Sequence, residues 1–253
     1  MLETYLKERL KDRDILLMTH IVLGYPSFED SYRIVEAMVR AGVDVMELQI
    51  PFSEPIADGP VILRASQEAL ARGTTVKQCL DFGSRVSRDF HIPFLFMTYY
   101  NILFKYGVDR FANAMADARI KGAIVPDLPP EEGQDYLSAL GRHDLAPIFI
   151  FSPNTRLERM RYLASHGKGF IYCVARKGVT GAQTDFSKDL AEYTNRCRTA
   201  TDLPLALGFG VKDRDDVDFL KGKVDIAVIG TQTIRLIEES GIGAVQDFIA
   251  GLR

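Results

Sequence analysis

The sequence predicts an α/β fold, a (β/α)8 TIM barrel with an extra N-terminal helix, and three observations point to it. Short apolar runs give way, eight times over, to stretches of helical periodicity. The runs are continuously apolar and do not alternate, as parallel strands buried on both faces require. The length, 253 residues, is what such a barrel occupies, about 250 residues. An open doubly wound sheet is the alternative, although eight units would be many for it.

The elements follow in order. MLETYLKERLKDRD is charged and amphipathic and supplies the helix ahead of the barrel. LLMTHIV (16–22) is the first strand and FEDSYRIVEAMVRAG its helix. DVMELQI (44–50) is the second, followed by a loop and a long helical stretch from about Val61 to Asp89. PFLFMT (93–98) precedes VDRFANAMADARI, GAIVP (122–126) precedes EEGQDYLSALGRH, and APIFIF (146–151) precedes TRLERMRYLASHG. GFIYCVA (169–175) leads into a glycine-rich loop and SKDLAEYTNRCR. LPLAL (203–207) precedes DRDDVDFLKG, and DIAVI (225–229) precedes the last helices, up to Leu252. Ala41-Gly42, Lys121-Gly122, His166-Gly167 and Lys221-Gly222 mark helix ends. No linker, low-complexity stretch or charge run divides the chain, so 1–253 reads as a single barrel domain.

Composition narrows the function. Lys and Arg total 31 against 34 Asp and Glu, a net charge of -3. That balance argues against a nucleic-acid partner, which would call for a basic patch. Cys79, Cys173 and Cys197 are odd in number and lack C-x-x-C spacing. They read as core or helix residues in a reducing compartment. No apolar run nears the roughly 18 residues of a membrane span, and the N-terminus lacks a signal-peptide core. The expected location is the cytoplasm, with no membrane partner.

In this fold the active site lies at the C-terminal ends of the strands and in the loops after them. Glu47 sits inside the second strand, where an unpaired carboxylate is costly to bury. It reads either as a strand-end acid reaching solvent or an Arg, or as a general acid/base whose pKa burial raises. The next loop, PFSEPIADGP (51–60), is stiff and carries Glu54 and Asp58. Asp58-Gly59 alone would be a plain turn. Beside Glu47 it suggests two carboxylates dividing acid and base roles. Gly208-Phe209-Gly210 and Ile229-Gly230-Thr231 end the seventh and eighth strands. Barrels often bind phosphate there, at the start of a helix, although tight turns alone would also call for glycine. ARKGVTGAQTDF (175–186) places Thr180 between Gly178 and Gly181, after Arg176 and Lys177, as either a closing lid or an ordinary long loop. His20, His91, His143 and His166 lack metal-ligand spacing; only His20 is near the catalytic end, where it reads as a polar core residue.

ELQIPFSEPIADGP resembles the signature of the tryptophan synthase α subunit family, E-L-G-x-P-F-S-D-P-x-A-D-G-P. The resemblance continues in order through MTYYN (97–101), VPDLPPEE (125–132), PIFIFSPNT (147–155), GFIYCVARKGVTGA (169–182), LALGFGV (205–211) and IGTQTIRLI (229–237). It implies a lyase that cleaves indole-3-glycerol phosphate to indole and glyceraldehyde 3-phosphate, without metal or organic cofactor. It implies an αββα heterotetramer with a β subunit in tryptophan biosynthesis. By the same resemblance Glu47 and Asp58 are the catalytic acids. Gly181, Gly210, Gly230 and Thr231 hold the phosphate, Thr180 is the lid threonine, and Tyr99, Ile124, Tyr172 and Phe209 line the indole pocket.

Some positions depart from the family pattern. Glu54 stands where Asp is usual, in a loop that the resemblance places against the β subunit. Gln49 replaces the Gly of E-L-G, and His20 lies where an apolar residue such as Phe often packs. Leu23-Gly24-Tyr25-Pro26 replaces the more frequent A/L-G-D-P, and Thr231 replaces Ser. Three other readings stay open: a stand-alone indole-releasing lyase, a phosphate-binding regulatory barrel with little turnover, and a phosphosugar isomerase on the same fold.

Overall fold

In the computed structural model, which describes residues 1–175, 183–208 and 210–253, eight parallel strands close into one barrel in chain order. They are β1 (Leu16–Val22), β2 (Val45–Gln49), β3 (Phe94–Met97), β4 (Gly122–Ile124), β5 (Ala146–Phe151), β6 (Ile171–Val174), β7 (Leu205–Gly208) and β8 (Ile226–Ile229). Closure is direct, with Leu16 of β1 paired to Ile226 of β8.

Side chains alternate along each strand, so the two faces of the barrel wall carry different sets. Leu16 and Met18 of β1, Val45 of β2, Leu95 and Met97 of β3, and Ala206 of β7 belong to the cluster inside the barrel. Leu17, Ile21, Met46, Leu48, Phe94 and Phe96 belong to the larger cluster beneath the surrounding helices. Burial on both faces is why the sequence shows continuous apolar runs.

The helix ahead of the barrel, α1 (Leu2–Arg9), sends Leu2 and Leu6 into the interior cluster. Asp44, at the start of β2, is fully buried and ties this end together. It meets Arg9 at 2.9 Å, Arg253 at 2.6 Å and Arg13 at 3.6 Å, and accepts from the Leu17 amide at 2.9 Å. Four partners satisfy this acid, so its role is structural.

The structure changes three readings. The long helix expected over about 61–89 is two, α3 (Pro60–Ala71) and α4 (Val76–Asp89). Gly73 turns at φ +84, and Thr75 caps α4 with a reciprocal Gln78 box that starts a new helix. After β3 a short helix, α5 (Tyr100–Tyr106), precedes the expected α6 (Val108–Asp117). Lys121-Gly122 does not end α6. The helix stops earlier and Arg119 turns at φ 59. Gly122 instead opens β4, where a Cβ would collide with the carbonyl oxygen of Ala146.

The other helices are α2 (Phe28–Arg40), α7 (Gln134–Arg142), α8 (Leu157–His166), α9 (Gln183–Ala200), α10 (Arg214–Leu220), α11 (Thr231–Ser240) and α12 (Ile242–Gly251). Helix α9 therefore takes in 183–186 of the expected lid loop. All three cysteines are buried and free. Among the described residues no helix is long and apolar enough to cross a membrane.

Candidate active site

Glu47 lies on β2 in register with His20 of β1, and Gln49 follows two residues on. Two residues is one strand period, so Glu47 and Gln49 leave the same face, the one that Val45 shares with the barrel interior. Glu47 is 4% exposed, and its Oε2 has no hydrogen-bond partner among the described residues. Burial, and then the charge of Asp58, pushes its carboxyl up to about 8. Among the described residues no cation meets it, whereas three arginines meet Asp44. An acid so placed holds its proton at neutral pH and can donate it.

Asp58 is delivered by the loop after β2. Its Oδ2 accepts from Gln49 Nε2 at 2.6 Å and from the Tyr99 hydroxyl at 3.2 Å. The Tyr99 oxygen in turn accepts the Ala57 amide at 3.1 Å, and Phe52 stacks on the Tyr99 ring at 5.2 Å. The loop is thus pinned to β3 through one buried tyrosine. Burial pushes Asp58 up, and the hydrogen bonds from Gln49 and Tyr99 draw it back. Gly59 and Pro60 then open α3, with proline at the first helical position where its missing N–H costs nothing.

At the ends of β7 and β8 the glycines stand where the sequence placed them. Gly210 has φ +90, a conformation that side chains resist. Gly230 caps α11 and brings no side-chain acceptor to its first amides. The Thr233 amide donates to the Gly230 carbonyl at 3.1 Å, while the amides of Thr231 and Gln232 precede any intrahelical acceptor and, with the helix dipole, favour an anion. Thr231 is the first residue of α11.

Tyr99 and Ile124 are buried at strand ends facing the interior. The carboxyls of Glu47 and Asp58 both push the Tyr172 hydroxyl up, after burial, which places it in the same electrostatic field. Thr180, Gly181 and Phe209 lie outside the described residues, as do Arg176, Lys177 and Gly178.

His20 is buried, as a polar core residue should be, but it is also linked through Gln49 to Asp58. Its Nε2 lies 2.6 Å from Gln49 Oε1. Gln49 and Phe52 are site residues that sequence reasoning gave no role. Gln49 had a legible signal, a polar residue one strand period from a buried acid. Phe52 had none, because its use depends on where Tyr99 lands.

The tryptophan synthase alpha chain family model matches residues 6–250. The chain belongs to the tryptophan synthase alpha chain family. It is 63% identical over 253 residues to the tryptophan synthase alpha chain of Syntrophotalea carbinolica, covering all of both chains. It is 63% identical over 252 residues to that of Desulforapulum autotrophicum, again covering all of both. A structure of tryptophan synthase from Mycobacterium tuberculosis superposes with a TM-score of 0.91 at 31% identity, over 99% of this chain and 96% of that one. The tryptophan synthase alpha subunit of Legionella pneumophila gives 0.90 at 29%, over 99% and 96%.

Proposed function

We propose that this chain is the α-type lyase of tryptophan biosynthesis, with Glu47 and Asp58 as its catalytic acids within one domain over 1–253. The reaction is the retro-aldol cleavage of indole-3-glycerol phosphate to indole and glyceraldehyde 3-phosphate. The observation that carries the reading is a buried, unpaired Glu47 held up to about 8, with a hydrogen-bonded Asp58 nearby.

The chemistry follows from those two states. Cleavage must protonate indole C3 and remove the proton of the hydroxyl next to the breaking bond. Glu47 starts protonated and delivers its proton to C3. The resulting carboxylate takes the hydroxyl proton as the carbon–carbon bond breaks, which leaves Glu47 protonated again. Protonation at C3 places positive charge on the ring nitrogen, and the Asp58 carboxylate stabilises that charge beside the N–H. The bond's electrons return to the ring, and the former hydroxyl oxygen becomes the aldehyde. Tyr99, Ile124, Tyr172 and Phe209 hold the ring. The phosphate takes no part in bond cleavage; Gly181, Gly210, Gly230 and Thr231 use it as the handle that fixes the reacting carbon, and Thr180 serves the lid.

The β subunit is the proposed partner, in an αββα assembly in the cytoplasm. The loop after β2 offers it Ile56, 81% exposed, beside the exposed Glu54. Purified chain should release indole and triose phosphate from indole-3-glycerol phosphate, faster when titrated with a β subunit. No indole in either case would overturn the lyase reading; release unaffected by the β subunit would leave a stand-alone lyase.

The phosphate handle is tested separately. Inorganic phosphate or glycerol phosphate should raise the melting temperature of wild type, since each binds only the native state. A Cβ at Gly230 would sit 3.7 Å from the His20 Cβ, an ordinary contact, so Gly230→Val can fold. Its methyl groups would occupy the space over the α11 amides. The expected result is loss of the phosphate-induced shift; equal protection of the variant would place the phosphate elsewhere.

A further inference from the structure

The buried pair Gln49 and His20 extends the site beyond its two acids. Asp58 Oδ2 receives two donors, Gln49 Nε2 and the Tyr99 hydroxyl, and a carboxylate oxygen only accepts. The Gln49 amide must therefore turn its NH2 towards Asp58. Its carbonyl oxygen then faces His20 Nε2 at 2.6 Å, and that contact requires the proton on Nε2. Burial draws the imidazole below its ordinary pKa, against the pull of Asp58 and Gln49, and so favours the neutral form. Nδ1 is left as a bare lone pair. It is buried and, among the described residues, has no partner, on a side chain only 4% exposed.

The position of Nδ1 decides what it can take. It lies 3.9 Å from the point where a Cβ would stand on Gly230, at the head of α11. On its other side, His20 is in register with Glu47, whose Oε2 is also buried and unpartnered. Among the described residues, two buried polar atoms without partners thus sit on adjacent strands, one on the acid and one beside the anion-favouring helix end. A phosphate oxygen is an acceptor and cannot satisfy a lone pair. The ring N–H is already assigned to Asp58. The remaining donor of a glycerol phosphate chain is a hydroxyl. Glu47 serves the hydroxyl next to the breaking bond, so the hydroxyl nearer the phosphate is the one left.

We propose that His20 Nδ1 accepts a hydrogen bond from the substrate hydroxyl nearer the phosphate, and that Gln49 is a positioning residue that fixes the His20 tautomer. The proposal rests on the lyase reading above. His20 becomes a specificity group that distinguishes a hydroxylated chain from a deoxygenated one. Gln49 does two things at once: it holds Asp58 by its NH2 and orients His20 by its carbonyl.

The test compares two ligands. One is indole-3-glycerol phosphate; the other is its analogue with hydrogen in place of that hydroxyl. Dissociation constants are measured in the Glu47→Gln background, where turnover does not interfere. Adding His20→Phe should weaken the full ligand by about 3- to 10-fold, as expected for one neutral hydrogen bond. The analogue should bind as before, which also shows that the variant is folded. Adding Gln49→Leu should erode the same preference in part, because the tautomer is no longer fixed.

An independent measurement needs no variant. Long-range nitrogen–proton correlation spectra of wild type should show His20 protonated on Nε2 with Nδ1 bare. Equal weakening of both ligands, unchanged affinity for both, or an Nδ1-protonated His20 would overturn the proposal. If wild type releases no indole and binds neither ligand, the lyase reading fails instead. Indole release with no His20-dependent preference fails this inference alone.

Discussion

Glu47→Gln is expected to lower turnover by at least the roughly 10²–10⁴-fold that one general acid/base supplies, while substrate affinity changes little. The amide is nearly isosteric with the acid but can neither deliver a proton to C3 nor recover one from the hydroxyl. A second effect goes in the opposite direction. An unfolded glutamate titrates near 4.5, whereas Glu47 in the folded chain titrates near 8. Below about 4.5 both states hold the proton and the fold loses nothing. Between those values the unfolded chain releases a proton that the native chain retains, so native stability falls as pH rises. The loss levels off above about 8 and is on the order of 3–5 kcal/mol. Glutamine has no such titration. The variant should therefore gain on wild type in denaturant unfolding between pH 5 and pH 8 while it loses activity. An active glutamine variant, contamination excluded, would make Glu47 structural. A stability difference independent of pH would mean that its carboxyl is not perturbed.

Asp58→Asn should lower kcat by about 10²–10³-fold, the scale of removing one preorganised electrostatic partner from a transition state. The fold should persist, because the carbonyl oxygen of the substituted amide can still accept from Gln49 and Tyr99. What disappears is the negative charge beside the ring nitrogen, and with it the second cause of the raised Glu47 carboxyl. The Glu47 titration, read by carboxyl-labelled NMR, should move down in the Asp58→Asn variant. A rise in KM alone, with kcat intact, would show that Asp58 only binds substrate. An unmoved Glu47 titration would show that the two carboxyls do not sense each other.

Most of the fold was legible because its rule is local. Continuous apolar runs alternating with helical periodicity fix eight strand-helix units and, by the barrel's own geometry, which ends of the strands carry chemistry. The places where the reading slipped are also local, and there a nearer contact won. Gly73 and the Thr75–Gln78 cap divide a helix that apolar spacing alone had kept whole. Lys121-Gly122 resembled a helix stop, but the glycine is required by the closeness of Ala146 across the sheet. That is a tertiary demand with no trace in the neighbouring residues.

The site divides along the same line. Strand order and residue type alone put Glu47 and Asp58 on adjoining segments at the C-terminal ends of the strands, and glycines at the ends of β7 and β8. The state of each acid depends instead on contacts from distant parts of the chain. Asp44 and Glu47 are three residues apart and both buried, yet one meets three arginines drawn from α1, the following turn and the C-terminus, and the other meets none among the described residues. Likewise Gln49 looked like an isolated departure until the register of β1 and β2 placed His20 on one side of it and the loop folded Asp58 onto the other. A proton's position depends on burial and on partners within about 3 Å, and strand register and loop path bring those partners from tens of residues away.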